Sequence, residues 1–263
     1  MMPLLTPYPA RLAYAWRCLL AVLALGWAPQ LPAATVPCGG VAPLTRVSAQ
    51  PLPGMVYVLG DSISEGLAQD GLADKMRDRF GSTVRISADV GRSITTPGVQ
   101  IRQSALESVT QDQAYIARAD TIIVVLGTNQ IEASFANSQQ LLMWQLKALA
   151  PDARFYWVDI GATLANQVAG WNARNRVIYD NAPMLGYQVI SRYKAIFGAD
   201  ADPLNITPGR NFPDQATEPG YGAEGNLHGV SAALSQAILQ ALAPPSPVQA
   251  RANTRQGGCS AGA

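Results

Sequence analysis

Met55-Val56-Tyr57-Val58-Leu59-Gly60-Asp61-Ser62 is a short apolar run that stops abruptly on a glycine, an acid and a serine. The same construction recurs downstream, where Val84–Val90 runs into Gly91 and Thr121–Leu126 runs into Gly127-Thr128-Asn129. Runs of this length and β-branched content read as strands buried on both faces, the mark of a parallel sheet covered by helices. In such a sheet the ligand crevice lies beyond the carboxyl ends of the strands. Residues far apart in sequence are thereby brought to one place, together with Glu224-Gly225-Asn226-Leu227-His228, which opens the last helix.

Working outward, apolar runs at Met55–Leu59, Val84–Val90, Thr121–Leu126, Arg154–Ile160 and Tyr187–Ile190 alternate with helix-like stretches. The helices are expected near Gly66–Phe80, Val99–Ala119, Ser134–Ala150, Leu164–Asn181 and Gly229–Ala243. This order predicts an α/β fold with a five-stranded, doubly wound parallel sheet in one domain, residues 55–245. Leu141, Leu142, Gln145, Leu146 and Leu149 give one helix a largely apolar face, and Val230, Leu234, Ile238 and Leu242 do the same for the last. The stretch Phe197–Leu227, rich in proline and glycine, has no regular period, and a loop of that length beside a crevice is expected to form part of a site.

Ser62 stands in a tight strand-to-helix turn, where the helix N-terminus favours developing negative charge. Taken alone, such a serine is more often an ordinary helix cap or turn residue. Gly91 allows close approach of a backbone N–H, and the Asn129 amide is a neutral, directional donor; acyl transfer needs donors of both kinds at the carbonyl oxygen. His228 is the single histidine of the chain. A serine hydroxyl needs a base within hydrogen-bond reach, and imidazole suits the task.

The set Gly60-Asp61-Ser62-Ile63-Ser64-Glu65-Gly66, Gly91, Gly127-Thr128-Asn129 and His228, in this order, resembles the SGNH/GDSL hydrolase superfamily over about Val56 to Ala243. The resemblance implies a flavodoxin-like three-layer fold and metal-free ester hydrolysis or acyl transfer without a cofactor. It implies Ser62 as nucleophile, His228 as general base, and the N–H groups of Ser62 and Gly91 with the Asn129 side chain as oxyanion hole. Members usually carry an acid three residues before the histidine, where this chain has Gly225. Glu224, Asp214 or a backbone carbonyl is then left to orient the imidazole. Gln130 stands where an aspartate often follows the asparagine, a change expected to affect loop packing more than chemistry.

The chain has 19 basic and 18 acidic residues among 263, a balance with no Lys/Arg cluster to attract nucleic acid. Arg11 and Arg17, the apolar Cys18–Ala28 and the exit Leu31-Pro32-Ala33-Ala34 have the three parts of a secretory signal over residues 1–34, with an apolar run too short to span a bilayer comfortably; an uncleaved N-terminal anchor is the alternative. Its removal leaves 17 basic residues and a formal charge of −1. Residues 35–54 read as a lead-in and 246–263 as a flexible tail. A periplasmic or secreted esterase is therefore expected, acting on small acyl esters, with O-acetyl-type groups on a carbohydrate or cell-envelope glycan foremost. Tyr156, Trp157, Trp171, Phe212 and Tyr221 are aromatic candidates for stacking on sugar rings, with core packing the favoured reading of Tyr156 and Trp157, which lie in a strand. A non-catalytic glycan-binding module, suggested by Gly225, and a lipid or aryl esterase are the alternatives.

Export also brings Cys38 and Cys259, in matching Gly-rich contexts at opposite ends of the mature chain, into an oxidising compartment. They are expected to be bridged. Thiol titration of the exported protein in denaturant without reductant should find no free thiol; two would show that the pair is open.

Overall fold

The computed structural model describes residues 53–130, 132–161, 166–208 and 227–244, all within one compact unit, Val47–Ala263. The expected signal, lead-in and tail, both cysteines of the proposed bridge, Phe212, Asp214, Tyr221, Glu224 and Gly225 lie outside the described residues. The chain runs β1 (Met55–Gly60), α1 (Ser62–Gln69), α2 (Leu72–Phe80), β2 (Thr83–Ala88), α3 (Ala105–Gln111), α4 (Gln113–Ile116) and β3 (Thr121–Val125). It continues through α5 (Glu132–Leu149), β4 (Arg154–Val158), α6 (Val168–Leu185), β5 (Gln188–Ile190), α7 (Arg192–Phe197) and α8 (Leu227–Leu242). The five strands pair in the order β2-β1-β3-β4-β5, parallel throughout, which is the flavodoxin-like order.

Side-chain alternation divides the core into two layers. Val56, Val58, Ile123, Val125 and Tyr156 pack with Leu67, Leu72, Met76, Leu234 and Ile238, so α1, α2 and α8 cover one face. Tyr57, Leu59, Ile122, Val124 and Trp157 pack with Val109, Ile116, Leu142, Leu146 and Ile178, so α3 to α6 cover the other. The result is a three-layer α/β sandwich.

Several expectations need correction. The helix foreseen over Gly66–Phe80 starts at Ser62 and breaks at Asp70-Gly71, where Gly71 takes a left-handed φ of 74°. In the stretch Val99–Ala119 only α3 and α4 are helical. The buried Asp89 carboxylate accepts the N–H groups of Gln100, Ile101 and Arg102, holding that segment as a loop, and the Ser104–Glu107 capping box starts α3. β2 is an edge strand and only partly buried, so burial on both faces holds for β1, β3 and β4 but not for it. Leu141 is 42% exposed and lies off the apolar face of α5. Helix α7, started by Ser191 accepting from Lys194 N–H, was not foreseen.

β1 and α1 meet across Gly60. A Cβ there would lie 1.9 Å from Ser64 Oγ and 2.9 Å from the Val125 carbonyl oxygen, distances no side chain can hold. Gly60→Ala should therefore lower unfolding free energy by about 1–3 kcal/mol, the usual cost of overpacking. Adding Ser64→Ala should recover only part of that loss, because the Val125 carbonyl stays in place. Urea denaturation checks both, and an unchanged midpoint for Gly60→Ala would show that α1 is free to move away.

Candidate functional site

β1 lies between β2 and β3, and the chain leaves β1 for helices on one face and β3 for a helix on the other. The turns after these two strands therefore diverge and leave a crevice at their carboxyl ends. Ser62, half-buried, is the first residue of α1. The cap is Asp61, whose Oδ1 accepts Ile63 N–H at 3.0 Å, so capping does not account for the serine at 62.

The structure brings three of the strand-end segments into contact. Asn129 Nδ2 donates to Asp61 Oδ2 at 3.1 Å and to the Arg92 carbonyl at 3.2 Å. Asp61 precedes Ser62, and Arg92 follows Gly91, which adopts a φ of 73° that favours glycine. Asn129 itself is exposed.

His228 is the second residue of α8. How α8 sits against α1 is set by small residues. A Cβ on Gly66 would lie 2.5 Å from Ser231 Oγ, and one turn further Ser235 Oγ donates to Asp70 Oδ2 at 2.5 Å. Contacts that advance by four residues on both helices mean that α1 and α8 run side by side in the same direction. One turn back, this register brings the first turn of α1, with Ser62, beside the first turn of α8, with Leu227 and His228.

Sequence reasoning missed the buried charges beneath these loops. Arg92, fully buried, donates from Nη1 to the carbonyls of Gly60 (3.3 Å) and Ser87 (3.0 Å) and from Nε to that of Gln103 (3.0 Å). Burial pushes its guanidinium below the ordinary arginine range, opposed first by Asp89 and also by Tyr57, Asp112 and Asp61. At the end of β4, Asp159 accepts from Tyr179 Oη at 2.9 Å and from Tyr193 N–H at 3.0 Å, and is 2% exposed. Tyr156 and Trp157 are packed inside, as expected of their place in a strand, and the expectation for Trp171 is corrected: all three are at most 1% exposed and cannot stack on a sugar.

No helix among the described residues is long and apolar enough to cross a membrane. No protein-family model matches the sequence, and no curated protein matches it. Solved structures do resemble it in fold. A carbohydrate esterase family 2 enzyme with a carbohydrate-binding domain from Corynascus thermopiles (Myceliophthora fergusii) aligns with a TM-score of 0.50 at 15% identity, over 74% of this chain and 68% of that one. An active-site mutant of a family two carbohydrate esterase from Clostridium thermocellum gives 0.50 at 12% identity, over 73% and 64%. An acetyl xylan esterase from Geobacillus stearothermophilus gives 0.49 at 12%, over 72% and 94%. At these identities the likeness is one of fold.

Asp159 supplies a test of the electrostatics at this end of the sheet. Burial pushes its carboxyl above the usual range, outweighing the hydrogen bonds from Ser191, Tyr193, Tyr179 and Arg192. With the folded pKa above the unfolded one, the folded state holds the proton longer, so stability falls as pH rises from the unfolded value toward the folded one. Asp159→Asn keeps an acceptor and removes the charge. Its melting temperature relative to wild type should rise as pH climbs above the ordinary aspartate range, about pH 4; the opposite trend would mean that the hydrogen bonds outweigh burial.

Proposed function

We propose that the protein is an exported serine esterase of the SGNH type, carrying out acyl-ester hydrolysis or acyl transfer. The observation that carries this reading is the meeting of the Ser62, Gly91 and Asn129 segments through the Asn129 amide. The α1–α8 register, which sets Ser62 and His228 on adjoining first turns, supports it.

In this mechanism Ser62 Oγ attacks the acyl carbonyl carbon while the His228 imidazole takes its proton. The carbonyl π electrons move to oxygen, and the oxyanion is met by the N–H groups of Ser62 and Gly91 and by the Asn129 amide. Asn129 turns one hydrogen away from the Arg92 carbonyl to do this, exchanging a neutral acceptor for a charged one. Collapse expels the alcohol, which receives the proton from His228, and leaves Ser62 acylated. Water or an acceptor hydroxyl then repeats the sequence and frees the serine. Glu224 orients the imidazole, with Asp214 or a backbone carbonyl as the other candidates.

The proposed substrates are small acyl esters, O-acetyl-type groups on carbohydrate or cell-envelope glycan foremost. Expected export and the carbohydrate esterases that share the fold favour these over lipid or aryl esters. No metal or cofactor has a role in the scheme.

Ser62→Ala and His228→Ala should each abolish turnover of an activated acetyl ester while leaving the protein folded, and the double variant should be little worse than either. Asn129→Ala should lower kcat by roughly 10²–10³ with little change in KM. Substantial turnover without Ser62 would sink the assignment, and no turnover in the wild type would favour the binding module. Glu224→Gln should lower kcat by several orders of magnitude if Glu224 is the orienting group. If Asp214→Asn shows that loss instead, the role passes to Asp214, and if neither falls by more than about tenfold a Ser62–His228 dyad is the better description.

A further inference from the structure

The connection from β3 to α5 is held from below at every second carbonyl. Trp157 Nε1 donates to the Leu126 carbonyl at 3.0 Å, and Trp171 Nε1 donates to that of Thr128 at 3.3 Å. The Arg174 guanidinium donates through Nη1 to the Gln130 carbonyl. All three donors are buried side chains on β4 and α6. The backbone that presents the exposed Asn129 is thus fixed on both sides of that residue.

Gln130 extends this scaffold across the crevice. It is 5% exposed; its Nε2 donates to Ser134 Oγ at 2.9 Å, and its Oε1 accepts the Ile94 N–H at 3.1 Å. Ile94 lies three residues beyond Gly91, in a turn closed by Ser93, whose Oγ accepts Thr96 N–H at 2.8 Å and whose own N–H donates to the Thr96 carbonyl at 3.0 Å. Two side-chain links therefore join the Asn129 loop to the Gly91 loop. One is the exposed Asn129 amide on the Arg92 carbonyl, and the other is the buried Gln130 amide on Ile94.

These links are not equivalent. In the proposed mechanism Asn129 gives up its bond to Arg92 when it turns to the oxyanion, so that link is absent when the spacing of the donors matters most. The Gln130–Ile94 bond takes no part in the reaction and persists. We infer that Gln130 is a positioning residue that fixes the separation of the Gly91 N–H and the Asn129 amide through its buried bond to Ile94. This rests on the proposed oxyanion hole. A donor displaced by a fraction of an ångström loses much of its effect on the transition state while substrate binding changes little.

Gln130→Met removes the acceptor at nearly constant size, and Gln130→Glu restores an acceptor oxygen. With p-nitrophenyl acetate as substrate, Gln130→Met should lower kcat by on the order of tenfold with KM within about twofold, and Gln130→Glu should recover most of the loss. Hydrogen exchange of the Gly91–Ile94 amides should speed up in the Met variant and return toward wild type in the Glu variant. Wild-type kcat in Gln130→Met, no recovery in Gln130→Glu, or a kcat loss tracking a general loss of stability would each overturn the inference while Ser62-dependent turnover leaves the proposed function standing. Unchanged exchange at Ile94 overturns it whatever the activity. A wild type without Ser62-dependent turnover overturns the function, and the inference with it.

Discussion

Asp61, Asp89 and Arg92 are buried together at the carboxyl ends of β1 and β2, each with no exposed surface. Charges removed from water must be met by hydrogen bonds and by one another, or the fold is lost. Meeting them shapes the surrounding loops. Asp61 ends β1 by capping α1; Asp89 gathers three consecutive N–H groups and with them the whole of Gln100 to Arg102; Arg92 spans from Gly60 to Gln103. Arg102, in the left-handed region with a φ of 61°, is held there by its N–H on Asp89. The Ser62 turn and the Gly91 turn are tied in place by the bonds these charges make to them.

The second determinant is close approach between helices. Gly66 and Ser231 let α1 and α8 come together, and Asp70, taking Ser235 Oγ and Lys75 Nζ at once, locks the register one turn further on. A larger residue at either small position would push α8 outward and with it the turn that carries His228. Packing far below the crevice thus governs the alignment of groups at its rim, the usual relation between a rigid scaffold and the loops it supports.

What the sequence reveals and what it hides follow from the range of the forces involved. β1 and β3 are legible because burial on both faces demands unbroken apolar runs, and the strand-end residues follow from the strands. Helix limits inside Val99–Ala119 are not, because Asp89 reaches across more than ten residues to hold a segment that local propensity leaves open. The Ser104-Ala105-Leu106-Glu107 box was the available signal for the start of α3. Trp157 reads as core because it lies in a strand, whereas Trp171 could be read as a surface platform because composition does not tell which way an indole points; the carbonyls of Leu126 and Thr128 explain why both are inside. Ser62, Gly91 and Asn129 were nameable from motif and position. Gln130 could be marked only as a departure affecting loop packing, while its bond to Ile94 and the buried bonds of Arg92 to Gly60 and Gln103, which join groups distant in sequence, were not legible.

In the proposed mechanism Asp61 poses a remaining electrostatic problem, since its carboxylate adjoins the proposed nucleophile, Ser62, and opposes negative charge on the substrate oxygen. At 4 Å, a repulsion of about 4 kcal/mol is expected at an effective dielectric of 20, enough to cancel an oxyanion donor. The structure answers with compensation. The carboxylate is spent on Ile63 N–H and Asn129 Nδ2, it sits at the N-terminus of α1, and the buried Arg92 charge interacts with it. The Asp61 carboxylate holds the Asn129 amide by one hydrogen and leaves the other on a neutral carbonyl at 3.2 Å. Releasing that second hydrogen costs about 1 kcal/mol, whereas a bond to a charged acceptor is worth about twice a neutral one. In the proposed mechanism this balance favours Asn129 turning toward the oxyanion only once it carries charge, which would confine the stabilisation to the transition state.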